Sequence, residues 1–90
     1  PHRVVASFER AGSLWDSLAI EFQSLPIPEE FDRDPARRAA YREAVSDGAS
    51  ISVGHARRNY ESCAEVARRE QVTTEHAARC VAWLKASPAP

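Results

Sequence analysis

The sequence predicts a small all-α domain of three helices in an antiparallel up-down-up arrangement. Two observations carry this prediction: apolar residues recur at helical spacing over most of the chain, and prolines bound the periodic segments. The 90 residues are expected to form one helical domain, 1–90. A domain of this size buries only about 60–65% of its unfolded surface and is marginally stable without a cross-link or a neighbour.

The first helix is expected over residues 3–25. Its apolar residues form a heptad seam with alternating spacings of four and three: Val4, Phe8, Ala11, Trp15, Leu18, Phe22 and Leu25. Pro26 and Pro28 end the helix, because a proline disfavours helical geometry in the residue before it. The Val4–Leu25 seam also makes a homo-oligomer conceivable, in which the seam pairs with its own copy.

The second and longest helix is expected over residues 35–70, after a connector at 26–34. The Asp34 side chain can accept hydrogen bonds from the first helical turn, and Pro35 suits the first helical position. One apolar stripe continues in phase from Tyr41 to Ala67. Two glycines and β-branched residues lower helix propensity near 48–54. A single bent helix and two helices broken there both fit, and the unbroken stripe favours the single helix.

The third helix is expected over residues 74–86, followed by a tail at 87–90. Cys63 and Cys80 are equidistant from the middle of the preceding turn, so antiparallel helices place them opposite each other. The sequence therefore predicts a disulfide between them, with two buried free thiols as the alternative. If the disulfide forms, we expect an oxidising, extracytoplasmic location, either periplasmic or secreted.

A metal or redox site is conceivable around the same cysteines, because His76 lies one helical turn before Cys80. By the same turn geometry the residue opposite His76 is Ala67, which supplies no further zinc ligand. A Cys–His nucleophile would also lack an orienting carboxylate or amide. We therefore expect no catalytic residue, no metal ligand and no cofactor. A small redox or metal-binding protein using Cys63, Cys80 and His76 remains the alternative.

The charged residues argue against a nucleic-acid partner. There are 12 Lys+Arg and 13 Asp+Glu, a net charge of -1, and the basic residues are not interleaved with aromatic ones. No apolar run approaches the roughly 18 residues that a membrane span requires. The candidate interaction surface is a local basic cluster at the start of the second helix, formed by Arg33, Arg37, Arg38 and Arg42. Acidic residues nearby in the chain can pair with it.

Two stretches resemble tetratricopeptide (TPR) repeats. Trp15-x2-Leu18-Ala19-x2-Phe22 is similar to the first-helix signature, and Ala56-x3-Tyr60-x2-Cys63 is similar to the second. Ala77-x2-Cys80-x3-Leu84 looks like the helix that caps such arrays, and this last part resembles C-terminal repeats of secreted bacterial TPR lipoproteins.

The resemblance implies a non-catalytic scaffold or protein-interaction module outside the cytoplasm. Its partners would be another protein or neighbouring repeats of the same chain, because a repeat unit buries its apolar faces by stacking. The chain contains no methionine. We expect it to be a mature fragment or a terminal unit of a larger TPR-like protein.

Overall fold

A computed structural model describes residues 1–88 of the chain, and over these residues the protein is helical without strands. Four helices follow one another: α1 (His2–Gln23), α2 (Glu29–Asp32), α3 (Pro35–Arg69) and α4 (Glu75–Ala86). The all-helical prediction and the long central helix are confirmed. The prediction of three helices missed α2. Residues 89 and 90 of the expected tail lie outside the described residues.

The central helix α3 is continuous through the glycine-containing segment at 48–54, where the sequence also allows a break. Its start is the one that the sequence indicates, since the Asp34 side chain accepts from the backbone N–H of Ala36 at 3.0 Å. Packing compensates for the low helix propensity of Gly48. A Cβ there would lie 3.3 Å from the Phe22 ring, so the absence of a side chain lets α1 approach closely.

Helices α1 and α3 pack side by side in opposite directions. Phe22 contacts Gly48, the Trp15 ring stacks on His55 with centroids 4.3 Å apart, and Gly12 contacts Tyr60. Residues later in α1 therefore contact residues earlier in α3, as expected for antiparallel helices.

The buried stripe of α1 is displaced by one residue from most of the predicted seam. The buried residues are Val5, Glu9, Gly12 and Ala19, whereas Phe8, Trp15 and Phe22 are half-buried beside α3. Small residues at the contact permit the close approach, and the large seam residues then cover its edge. Val4 and Leu18, also seam residues, remain exposed.

The short helix α2 lies in the segment at 26–34 that the sequence predicts to be a connector. Phe31 stacks on Tyr41 of α3 with ring centroids 5.9 Å apart. The Tyr41 hydroxyl donates to the Pro26 carbonyl at 3.2 Å. These contacts hold the chain between α1 and α3 against the first turns of α3.

The turn from α3 to α4 aligns the two helices as a hairpin. Gln71 adopts a left-handed backbone with φ of 55°, and the next N–H, that of Val72, donates to the Ala67 carbonyl at 2.8 Å. Thr74 then caps α4 by accepting from the Ala77 N–H at 3.4 Å.

The core lies where α4 packs on the N-terminal half of α1 and the C-terminal half of α3. Its largest aromatic contact is Tyr60 stacked on Trp83, with centroids 4.5 Å apart. Most other core residues are small, so the helices pack closely there: Val5, Ala56, Cys63, Ala67, Val72, Ala77 and Cys80. Because α4 has only 12 residues, about 18 Å, it leaves the C-terminal half of α1 uncovered.

Candidate functional site

The structure joins the two cysteines that the sequence placed opposite each other. Their sulfur atoms are 2.05 Å apart and their Cα atoms 6.2 Å apart, and both residues are fully buried. Buried Ala67 and Ala77 stand beside them. Small neighbours permit the short backbone separation that a disulfide needs, shorter than the usual 8–10 Å between helix axes.

His76, the third member of the conceivable redox or metal set, turns to α1 instead of to the sulfur atoms. Its Nδ1 lies 3.0 Å from Oε1 of Glu9. Arg79 Nε donates to the same oxygen at 2.8 Å. Glu9 is only 9% exposed at its side chain, and Arg79 is also 3.8 Å from Glu75. Sequence reasoning missed this cluster, because a glutamate beside a predicted seam is normally solvated.

The surroundings of Glu9 keep its carboxylate charged. Burial by itself would raise the pKa of Glu9, but the hydrogen bonds and positive charges of Arg79 and His76 together outweigh burial. The pKa of Glu9 therefore lies below its ordinary value. The cluster connects α1 to α4 with groups that satisfy one another, and the described side chains leave no buried polar atom without a partner.

This geometry gives no support to the metal-binding alternative. The cysteines are bonded to each other and His76 is hydrogen-bonded to Glu9. Among residues 1–88 no group of three or more His, Cys, Asp or Glu side chains is arranged to hold a metal ion.

The predicted basic surface is neutralised locally in the structure. Arg33 pairs with Glu29 at 2.7 Å and Arg38 with Asp32 at 3.5 Å. Arg37 lies 3.7 Å from Asp34. These exposed pairs contribute little stability, but they compensate for positive charge at the N-terminal end of α3, where the helix dipole disfavours it. Arg42 borders a separate cavity of about 300 Å³ beside Leu25 and Ile27.

A second heptad pattern on α1 lies outside the buried stripe that packs on α3 and α4. We call it the outer face and define it by six residues at alternating spacings of three and four: Val4, Ser7, Ala11, Leu14, Leu18 and Glu21. Leu14 is 73% exposed, Leu18 38% and Val4 46%. Clustered large apolar side chains in contact with water are typical of interaction surfaces.

The outer face contains a cavity, which we call the hole, and two exposed leucine side chains of a size that could fill such a cavity in a partner. A cavity of about 390 Å³ lies in its N-terminal half and is lined by Arg3, Val4, Ser7, Phe8, Ala11 and Asn59. Val4, Ser7, Phe8 and Ala11 have the spacing of the four residues that receive one side chain in knobs-into-holes packing. Leu14 and Leu18 project from the C-terminal half of the same face.

Another cavity, of about 750 Å³, lies at the α3–α4 hairpin. Its walls are mostly small, with Ala64, Ala78 and Ala82 beside Val81. Of residues 1–88, no aromatic or leucine side chain lines this cavity. It therefore differs from the outer face, which has a hole and also exposed leucine side chains that could enter a partner's hole.

Comparison with protein-family models, with curated proteins and with solved structures gives no significant match to this chain. The helices of residues 1–88 lack the combined length and apolar character that crossing a lipid bilayer requires.

Proposed function

We propose that this chain is a non-catalytic protein-interaction module that binds an amphipathic α-helix on the outer face of α1. One observation carries the proposal: Leu14 and Leu18 are exposed beside a preformed hole that α1 lines together with Asn59 of α3. Burying a fully exposed leucine side chain contributes about 1.5–3 kcal/mol, and the exposed parts of Leu14 and Leu18 contribute in proportion. A partner helix with heptad-spaced apolar residues would cover both leucines and fill the hole at once.

The disulfide-stapled hairpin gives this surface a rigid support. Cys63 and Cys80 link α3 to α4, and the Glu9 cluster links α4 back to α1. The outer face thus belongs to a helix that is held on two sides, so little ordering free energy is lost when a partner binds.

Selection of helices from a displayed library of single amphipathic helices tests the proposal. The discriminating variants are Leu18→Glu and Ile20→Glu. Ile20 is two residues further along α1, about 200° around the helix, and is 57% exposed. Both changes replace an exposed apolar residue on one helix, but only Leu18 lies on the outer face.

Helices selected on the unmodified chain are expected to bind Leu18→Glu at least about tenfold more weakly, because a buried leucine contact is lost and a charge is desolvated. Binding to Ile20→Glu should be unchanged. A selection without binders, or binders that tolerate Leu18→Glu, would show that the outer face is not a helix-binding surface.

The proposal also places the module outside the cytoplasm, as a unit or fragment of a larger TPR-like protein. Support comes from the buried Cys63–Cys80 pair, since disulfides persist in oxidising compartments, and from the TPR-like signatures in α1 and α3. Thiol titration of protein isolated under non-reducing conditions tests the location. No reactive thiol should appear in denaturant, and two would contradict an oxidising compartment.

A further inference from the structure

We infer that the helix bound by the outer face is the outer face of a second copy of this chain, packed antiparallel. The inference rests on the proposed function, because it names the partner of the same surface. The order of residue sizes along α1 favours this partner. Ser7 and Ala11, which line the hole, lie in the N-terminal half, and Leu14 and Leu18 lie in the C-terminal half.

Antiparallel packing places small residues opposite large ones in every central layer. In a pair of antiparallel helices, a residue at the first core position of a heptad lies opposite a residue at the second core position of the other helix. One register therefore sets Ser7 against Leu18 of the second copy and Ala11 against Leu14, with residue numbers that add to 25 in both pairs. Twofold symmetry repeats both contacts. Leu18 of each copy then enters the hole of the other, where a cavity of about 390 Å³ is available, and Leu14 packs on Ala11 at the end of that hole.

Charge complementarity favours the same register. It brings Glu21 of one copy level with Val4 of the other, directly beside Arg3, which lines the hole. Within residues 1–88 neither Arg3 nor Glu21 takes part in an ion pair. Both are exposed, so each is available to a partner that approaches this face.

Parallel packing of the same faces is disfavoured for two reasons. It would set each residue against itself, so that Ser7 and Ala11 meet their own copies and leave the hole unfilled. It would also bring two Glu21 carboxylates together. Size and charge therefore both select the antiparallel arrangement.

Sedimentation velocity over a concentration series tests whether the dimer forms. The unmodified chain should show a concentration-dependent dimer, and Ile20→Glu should match it. Leu18→Glu should weaken self-association about 100-fold or more, because symmetry places the change in two contacts. Circular dichroism of both variants checks that they fold equally. A chain that stays monomeric up to its highest soluble concentration overturns the inference.

Site-specific cross-linking tests the direction of packing. One tagged chain carries Ser7→Cys, and a second chain with a different tag carries Leu18→Cys. The native cysteines do not interfere, because they are fully buried in their disulfide. Mild oxidation of the mixture should link Ser7→Cys to Leu18→Cys, with little product from either chain alone. A predominant product that joins two Ser7→Cys chains would show parallel packing and overturn the inference.

A charge exchange tests the ion pair and separates the inference from the proposed function. Glu21→Arg should weaken the dimer severalfold, and adding Arg3→Glu to the same chain should restore it; failure to restore contradicts this register. A monomeric chain that still binds selected helices through Leu18 would refute the inference and leave the proposed function intact. A chain that does neither refutes both.

Discussion

Replacing Gly12 by alanine tests whether the packing of α1 on α3 depends on the absence of a side chain. A Cβ at Gly12 would lie 2.9 Å from Cε2 of Tyr60 and 3.0 Å from both neighbouring ring atoms. Near-equal distances to three adjacent atoms place it over the ring face. Trp83 stacks on Tyr60 at 4.5 Å and must occupy the opposite face, so the ring cannot retreat.

The expected loss follows from two opposing contributions. Alanine gains about 1 kcal/mol over glycine in a helix interior. Overpacking of a close-packed contact costs about 1–3 kcal/mol, and because Tyr60 is held on both faces the upper part of that range applies. We expect Gly12→Ala to lower the free energy of unfolding by about 1–2 kcal/mol.

The other two glycines of the chain provide matched controls. A Cβ at Gly54 would be 3.7 Å from its nearest neighbour, an Arg58 nitrogen, which is ordinary contact. Gly54→Ala should therefore stabilise the protein by about 1 kcal/mol. A Cβ at Gly48 would be 3.3 Å from Phe22. The free energy of unfolding of Gly48→Ala should therefore lie between those of Gly12→Ala and Gly54→Ala.

Urea denaturation of the oxidised protein, followed by circular dichroism, measures the series. The order of stability should be Gly54→Ala, then Gly48→Ala, then Gly12→Ala. If Gly12→Ala is as stable as Gly54→Ala, the argument that Tyr60 is clamped between Gly12 and Trp83 is refuted.

Three further predictions concern the supports of α4. Replacing Cys63 and Cys80 by serine should cost about 3 kcal/mol in urea denaturation, the chain-entropy effect of a 17-residue separation; an unchanged midpoint would contradict it. Glu9→Gln should cost about 2 kcal/mol at neutral pH. Because the folded pKa of Glu9 lies below its ordinary 4.5, its stabilisation is complete above that pH and is lost on acidification. Glu9→Gln should flatten this acid dependence, and an unchanged pH profile would argue against the cluster. Gln71→Gly should stabilise by about 1 kcal/mol by removing left-handed strain, and a loss of stability would argue against that conformation.

The helical class and the start of the long central helix could be predicted because they depend on local signals. Asp34–Pro35 starts α3 through capping that the sequence shows directly. The cysteine pairing followed from turn symmetry. Helix α2 was missed because four residues between prolines are too few for a periodic signal, and its position depends on Phe31 meeting Tyr41.

The orientation of α1 could not be predicted, because hydrophobic periodicity favours large residues as the buried stripe. In this protein the closest contact is made by Gly12, which the sequence presents only as a cost to helix stability. Glu9 is buried because Arg79 and His76, about 70 residues away in sequence, supply its partners. The pattern of the outer face is nonetheless visible in sequence, as a second set of heptad spacings that begins at Val4.

Amide chemical shifts of the isotope-labelled protein, followed as a selected helix is added, test most directly whether the outer face of α1 is the binding surface. The largest changes should fall on Val4, Ser7, Ala11, Leu14 and Leu18, and should be absent from the Leu18→Glu variant. The hairpin cavity around Ala78 and Ala82 serves as the internal comparison. Changes concentrated at that cavity, with the outer face unperturbed, would contradict the account.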